Sequence, residues 1–204
     1  MKFAAVASLA SVVAAAPAML ESRQGCTYGF VFARGSTEPS PMGILIGPAL
    51  QSALARKLPG LKTYPVKYAA SITTNISIQR TDAASIAIGK QTFEQAAGCK
   101  TILAGGYSQG AAVMHNVVSK SLSAELKGKV AGVALFGDTR NSQDKGHIPN
   151  FPNERSKVWC NPSDGVCGGQ LLVNVGHLTY SNSQINEAAT WLAGRAKAGG
   201  GAVE

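Results

Sequence analysis

After residue 25 the hydrophobic and polar positions change period repeatedly. Tyr28–Ala33 is a short apolar run rich in aromatic and β-branched residues, which predicts a buried strand. Ile44–Leu58 has apolar residues at helical spacing, with Pro48 near its start, where a missing N–H is tolerated. Thr63–Tyr68 is strand-like. Thr81–Ala97 predicts a helix with Ile86, Ile88 and Phe93 available for packing, and Gly98 stops it. Thr101–Ala104 is a strand that leads into Gly105-Gly106-Tyr107-Ser108-Gln109-Gly110. Ala111–Leu122 follows as a helix, then Val130–Phe136 and Lys157–Cys160 as strands, and Ser183–Lys197 as a final helix. Strands alternating with helices at this spacing predict an α/β fold with a mostly parallel sheet covered on both faces. No repeat or linker divides the chain, so one domain is expected over 26–198, with a frayed glycine-rich tail at 199–204.

The front of the chain has a different character. Lys2 gives a positive start, Phe3–Ala16 is apolar without a charge, and Ala14, Ala15, Ala16 and Ala18 are small. That is the layout of a secretory signal peptide over about residues 1–18. The stretch is too short to span a membrane comfortably, and Pro17 ends it. A polar arm or short pro-segment is expected at 19–25. No later run reaches the apolar length of a transmembrane helix, so a soluble extracellular protein without stable membrane insertion is expected.

Composition narrows the class. The 204 residues carry a formal charge of +8 with only 15% charged residues, too few for a coiled coil, and 45% hydrophobic residues argue against disorder. The positive residues are scattered and mostly single, which argues against a nucleic-acid footprint. A scattered excess affects solubility and general attraction to anionic surfaces such as wall polymers. In an oxidising compartment Cys26, Cys99, Cys160 and Cys167 are expected to form disulfides. Their spacing fits no zinc pattern, and no metal or organic cofactor is expected. Of the three pairings, the favoured one closes a tight loop between Cys160 and Cys167 and leaves Cys26 with Cys99. Loop entropy makes these worth at most roughly 2.5 and 4.5 kcal/mol.

Gly106-Tyr107-Ser108-Gln109-Gly110 fits Gly-x-Ser-x-Gly between a predicted strand and a predicted helix. Such a turn lifts a serine hydroxyl above the sheet, and small neighbours let it be tight. The helix dipole favours negative charge developing there. A serine needs a base, and the base an orienting acid. Of the three histidines, His115 inside the following helix reads as a surface or packing residue, and His147 in a polar loop is unsupported. His177 follows the last apolar run, Leu171–Val175, and precedes the final helix, where the order Ser, acid, His places a base. For the acid, Asp144 and Glu154 look like solvated loop residues. Asp164 lies inside the ring closed by Cys160 and Cys167, which holds a carboxylate without a large core beneath it. It is preferred to its rival Asp138, at the end of a strand. Oxyanion donors are expected from the Gln109 N–H and from Ser36, in the turn Arg34-Gly35-Ser36-Thr37-Glu38.

The segments Phe32–Glu38, Gly105–Gly110, Cys160 through Asp164 to Cys167, and His177-Leu178 with Tyr180 resemble the fungal cutinases, which group with acetylxylan esterases. The resemblance runs from about Cys26 to Trp191. It implies a small, lidless, three-layer α/β/α hydrolase with a central five-stranded sheet, and the disulfides Cys26–Cys99 and Cys160–Cys167. It also implies Ser108 as nucleophile, His177 as base, Asp164 as acid, and Ser36 and Gln109 as the oxyanion hole. A groove lined by Ile72, Leu171, Val173 and Leu178, with Tyr107 beside the serine, is similarly implied. The chain departs from the family pattern at Pro39-Ser40-Pro41-Met42, which precedes Gly43 where a glycine-rich turn is usual.

The expected activity is that of a monomeric, secreted serine esterase acting on cutin, a hydroxy fatty acid polyester, and on shorter acyl esters. An acetylxylan esterase would share the triad but present a smaller, more polar acyl pocket. A non-catalytic wall-binding or host-recognised protein is the alternative of another class; the competent residue at every catalytic position argues against it. Asn75 resembles a family asparagine that supports the oxyanion serine, yet Asn75-Ile76-Ser77 is also the only N-glycosylation sequon. A glycan is incompatible with that role, so Asn75 is expected to stay unmodified. Intact mass before and after glycosidase treatment checks this, and a shift would contradict it.

Overall fold

The computed structural model describes residues 25–199. The leader expected at 1–18, the arm at 19–25 apart from Gly25, and the tail beyond Gly199 lie outside the described residues. Five strands form one sheet in the order β2-β1-β3-β4-β5: β1 Cys26–Ala33, β2 Lys62–Pro65, β3 Cys99–Tyr107, β4 Val130–Phe136 and β5 Ser156–Trp159. Every neighbouring pair is parallel. The helices are α1 Gly47–Lys57, α2 Ala83–Gln95, α3 Gln109–Asn116, α4 Ala124–Lys129, α5 Val175–Leu178 and α6 Asn182–Gly199.

Side-chain alternation along the strands divides the core into two layers. Val31 and Ala33 of β1, Ile102 and Ala104 of β3, and Val133 and Leu135 of β4 pack with Phe93 of α2 and with Val113, Met114 and Val117 around α3. The alternate residues Phe30, Phe32, Leu103, Ala134 and Phe136 pack with Leu50 and Leu54 of α1 and Leu192 of α6. Strands buried on both faces read as continuous apolar runs, which is why the strands were legible without an alternating signal.

Several boundaries differ from expectation for local reasons. β3 runs three residues past Ala104 because Gly105, Gly106 and Tyr107 keep pairing with β1 and β4. The Asp82 carboxylate accepts from Ser85 N–H, so α2 starts at Ala83 rather than Thr81. The helix expected over Ala111–Leu122 starts at Gln109 and ends in a π-helical turn, Val117–Ser121. Two short helices were not anticipated. Ser123 caps α4 through Leu126 N–H, and Asn174 caps α5 through His177 N–H.

The connections fix where ligands can bind. From β1 the chain goes outward to β2, then crosses back to β3 and continues through β4 to β5. The order therefore reverses between β1 and β3, and the crevice beyond their C-terminal ends is the place where open parallel sheets bind ligands. Ser36 follows β1 and Ser108 follows β3, so both stand at that crevice.

Candidate active site

Ser108 occupies the tight turn between β3 and α3 with φ 55° and ψ −121°, a conformation rare for a residue with a side chain. Its N–H donates to Phe136 O at 2.9 Å, pinning the turn to β4. Steric space explains the flanking glycines. A Cβ on Gly106 would sit 2.5 Å from Gly110 O, and one on Gly110 would sit 2.0 Å from Ala33 O. α3 can start this close to β1 only without side chains at those two positions.

Ser108 Oγ lies 3.0 Å from His177 Nε2, and His177 Nδ1 lies 3.0 and 2.9 Å from the Asp164 oxygens. A carboxylate only accepts, so Nδ1 carries the proton and Nε2 is left as the acceptor facing Ser108. All three residues are buried. Asp164 Oδ1 also accepts from Val166 and Cys167 N–H, and Oδ2 from the Tyr180 hydroxyl at 2.7 Å. Burial raises the carboxyl pKa, but hydrogen bonds from His177, Tyr180 and Cys167 outweigh it and hold Asp164 below its ordinary value. Burial and the same carboxylate push the Tyr180 phenol well above its ordinary range.

The segments carrying Asp164 and His177 are fastened to each other. Asn174 Nδ2 donates to Ser163 O, and Asn161 Nδ2 donates to Gly176 O at 2.7 Å. The Cys160–Cys167 disulfide closes the acid loop, and Cys26–Cys99 joins the first residues of β1 and β3. Tyr107 stacks on the His177 ring with centroids 5.1 Å apart, and its hydroxyl donates to His177 O.

At the other side of the crevice, Asn75 Nδ2 donates to Ser36 Oγ at 2.9 Å, and Ser36 Oγ donates to Gln109 Oε1 at 3.2 Å. Gln109 is fully buried, and its amide nitrogen donates to Ser71 O and to Thr74 Oγ1. Its backbone N–H opens α3 and has no intrahelical acceptor.

The groove beside Ser108 measures ≈ 360 Å³ and includes Ile72, Asn75, Tyr107, Val173 and Leu178 in its lining. Leu171, expected there, does not line it; its backbone turns through φ 54°, and Leu172, Val173 and Val175 are the exposed members of the run. Ile44 and Leu45 complete the apolar wall. They were read as the start of a helix, whereas α1 begins only at Gly47.

Four features escaped the sequence reading. Glu38 organises the first loop: its carboxylate accepts from Gly35, Ile44 and Leu45 N–H, and its carbonyl from Arg34 Nε. Gly137, with φ 52°, underlies the histidine; a Cβ there would meet His177 Cε1 at 2.6 Å and Asp164 Oδ2 at 3.1 Å. Tyr180 carries the hydrogen bond to Asp164 described above. The fourth is His115, which is not a surface residue: its side chain is 1% exposed and its Nε2 lies 2.7 Å from Asp138 Oδ2. Its Nδ1 lies 2.9 Å from Asp144 Oδ2, away from a good hydrogen-bonding direction. Asp144, expected to be solvated, is instead held by a bidentate pair from Arg140, at 2.7 and 2.9 Å. Burial favours a neutral His115 ring, but the two carboxylates outweigh it and raise its pKa to about 9. Asp138 is thereby committed to His115 and lies apart from the Ser108–His177–Asp164 chain. Among the described residues no group of three or more His, Cys, Asp or Glu is arranged to hold a metal ion.

A parallel five-stranded sheet with a sharp strand–serine–helix turn defines an α/β hydrolase-like protein. The cutinase family model matches residues 25–196, and the chain belongs to that family, whose members are carboxylic ester hydrolases. It is 39% identical over 209 residues to probable cutinase 3 of Neosartorya fischeri, covering 93% of this chain and 95% of that one. It is also similar to the solved Trichoderma reesei cutinase in complex with a phosphonate inhibitor, with 28% identity and a TM-score of 0.69 over 83% of this chain and 76% of that one. An acetylxylan esterase shares the fold at 16% identity, with a TM-score of 0.61 over 84% of this chain and 99% of that one.

Two outcomes follow from this geometry. The folded-state pKa of His115, about 9, lies above its ordinary 6.5, so its contribution to stability is complete below about pH 6.5 and lost as pH rises through about 9. The thermal midpoint of the wild type is expected to fall across that window, and His115→Gln to flatten the fall. Separately, Gly137→Ala is expected to lower kcat on a soluble p-nitrophenyl ester by about 10²-fold with KM little changed, because the methyl group displaces the imidazole. Steady-state kinetics decides it.

Proposed function

We propose that the protein is a secreted serine esterase that cleaves cutin and short to medium acyl esters through Ser108, His177 and Asp164. The observation that carries the reading is the continuous chain of contacts from Ser108 Oγ through His177 to Asp164. Ser108 Oγ attacks the ester carbonyl while its proton passes to His177 Nε2. Asp164 holds the imidazole tautomer and steadies the imidazolium. The tetrahedral oxyanion is stabilised by the backbone N–H groups of Ser36 and Gln109 and by the Ser36 hydroxyl. Asn75 already occupies an acceptor position on that hydroxyl, so turning its hydrogen toward substrate costs only the 3.2 Å bond to Gln109. Collapse breaks the ester C–O bond, and the alcohol leaves with the proton returned by His177. Water, deprotonated by the same nitrogen, then releases the acid from Ser108.

The surroundings favour an aliphatic ester over an acetylated sugar. Ile44, Leu45, Ile72, Val173 and Leu178 wall the groove. The other exposed large apolar side chains among the described residues, Ile76, Ile78, Leu172 and Val175, lie on the same loops at the C-terminal ends of the strands. An apolar rim around a reactive serine suits adsorption to a solid polyester. Secretion is supported by the pattern of residues 1–18 and by two disulfides. Among the described residues no helix is long and apolar enough to cross a membrane.

Ser108→Ala is expected to lower kcat/KM on p-nitrophenyl butyrate by about 10⁴-fold or more, and organophosphate to label Ser108 alone. The wild type is expected to prefer butyrate over acetate and to release soluble products from cutin. Unchanged hydrolysis by Ser108→Ala would refute the mechanism; activity confined to acetate would refute the substrate.

A further inference from the structure

Along the chain the cations look scattered, but the fold sorts them. The loops at the C-terminal ends of the strands carry Arg34, Lys67, Arg80, Arg140 and Lys145, matched by Glu38, Asp82, Asp138, Asp144 and Asp164. The end that holds Ser108 is therefore balanced. The opposite end gathers strand starts: Lys62 opens β2, Lys100 is the second residue of β3, Lys129 immediately precedes β4, and Arg155 immediately precedes β5. Chain segments finishing at that end add Arg56 and Lys57 on α1, Lys120 in the π-helical turn, and Lys197 on α6. The acids there are Glu94, Glu125 and Glu154. The positive excess of the described residues thus lies at the end away from the active site.

Neighbouring strands are about 4.8 Å apart, so the cations at the starts of β2, β3, β4 and β5, with the uncharged start of β1 between the first two, spread along the sheet edge as a row rather than a point. Those at helix C-termini also complement helix dipoles. Lys100 stands on a strand and has no such role. Beside these strand starts opens a groove of ≈ 410 Å³ whose lining includes Ser121 and Ser123 and two ion pairs, Lys90 with Glu94 and Lys129 with Glu125. Its serine hydroxyls, beside the cations of this end, suit a polymer that carries both hydroxyls and carboxylates. A lipid surface fits poorly, since the exposed large apolar side chains all sit at the other end. Single-stranded nucleic acid fits poorly as well: no Phe, Tyr or Trp among the described residues is exposed to stack on bases.

We propose that the strand-start end of the protein is a docking surface for a linear carboxylated polysaccharide, which holds the protein with Ser108 turned outward. The surface is independent of the chemistry at Ser108, so a failure of either reading leaves the other standing. The probe is polygalacturonate, with binding followed by anisotropy of the labelled full-length secreted protein. Affinity is expected to fall about tenfold or more between about 20 and 500 mM NaCl, because screening shortens the field of the row. At low salt Lys100→Glu/Lys120→Glu is expected to weaken binding about tenfold. Lys67→Glu/Lys145→Glu, with the same change of net charge, is expected to weaken it less than twofold. Saturating polymer is expected to leave p-nitrophenyl butyrate hydrolysis unchanged, and that activity also verifies the fold of both variants. Equal losses in the two variants, no loss in either, inhibition of the soluble reaction by polymer, or tighter binding of single-stranded DNA of equal charge would each overturn the proposal.

Discussion

The approach of α3 to the end of β1 is the constraint on which the site depends. No side chain fits at Gly110, because Ala33 O already occupies the space a Cβ would need. That contact brings the first N–H of α3 beside Ser36, which follows β1, and forces Ser108 into an unusual backbone conformation. Such a conformation costs of order 1–3 kcal/mol and persists only where neighbours over-determine it. Here the bond from Ser108 N–H to Phe136 O and the pairing of β3 with strands on both sides supply that determination. One packing contact thus sets both the Ser108 turn and the position of the Gln109 N–H.

Asp164 and His177 are positioned by a different means. They lie beyond β5, in the disulfide-closed loop and in the short helix α5, where hydrogen bonds between the two segments add to packing. Asn161 and Asn174 each reach across to a backbone carbonyl, and the disulfide limits how far the acid loop can open. Gly137 leaves room for the ring, and Tyr107 covers its face. Hydrogen bonds from several donors hold the Asp164 carboxyl below its ordinary pKa despite its burial, which keeps it an acceptor toward the imidazole.

What was legible in the sequence follows from these mechanisms. The strands and major helices were readable because fully buried parallel strands give apolar runs and because glycines mark the serine turn. The order and local context of Ser108, Asp164 and His177 singled them out as candidates, and the fold brings them into one chain of contacts. Asp144 was misread as solvated, and the ionic partners of His115 went unseen, since burial of a charged residue depends on partners distant in sequence, and a polar loop looks the same whether solvated or folded inward. Gly137 carried no signal, because the ring it makes room for is 40 positions away. Leu171 and Leu172 illustrate a further limit. In an irregular segment the period that assigns side chains to a face is missing, so sequence does not say which members of the run 171–175 point into the groove; Val173 lines it and neither leucine does.

The buried ionic cluster gains a purpose when the apolar rim is considered. Ile72, Ile76 and Ile78 are 54–83% exposed, so their segment earns little stability from burial. It is held instead by donors from the rigid body beneath. Gln109 bonds to Ser71 O and Thr74, Asn116 to Gln79 O, and Arg140 Nη1 to Ile78 O. Each such bond contributes about 0.5–1.5 kcal/mol. Arg140 can serve only if its guanidinium is fixed, and Asp144 fixes it while resting against His115 on α3. The cluster therefore ties α3 to a wall of exposed isoleucines. An apolar surface left open cannot be stabilised by covering it, and polar tethers from below hold it without doing so.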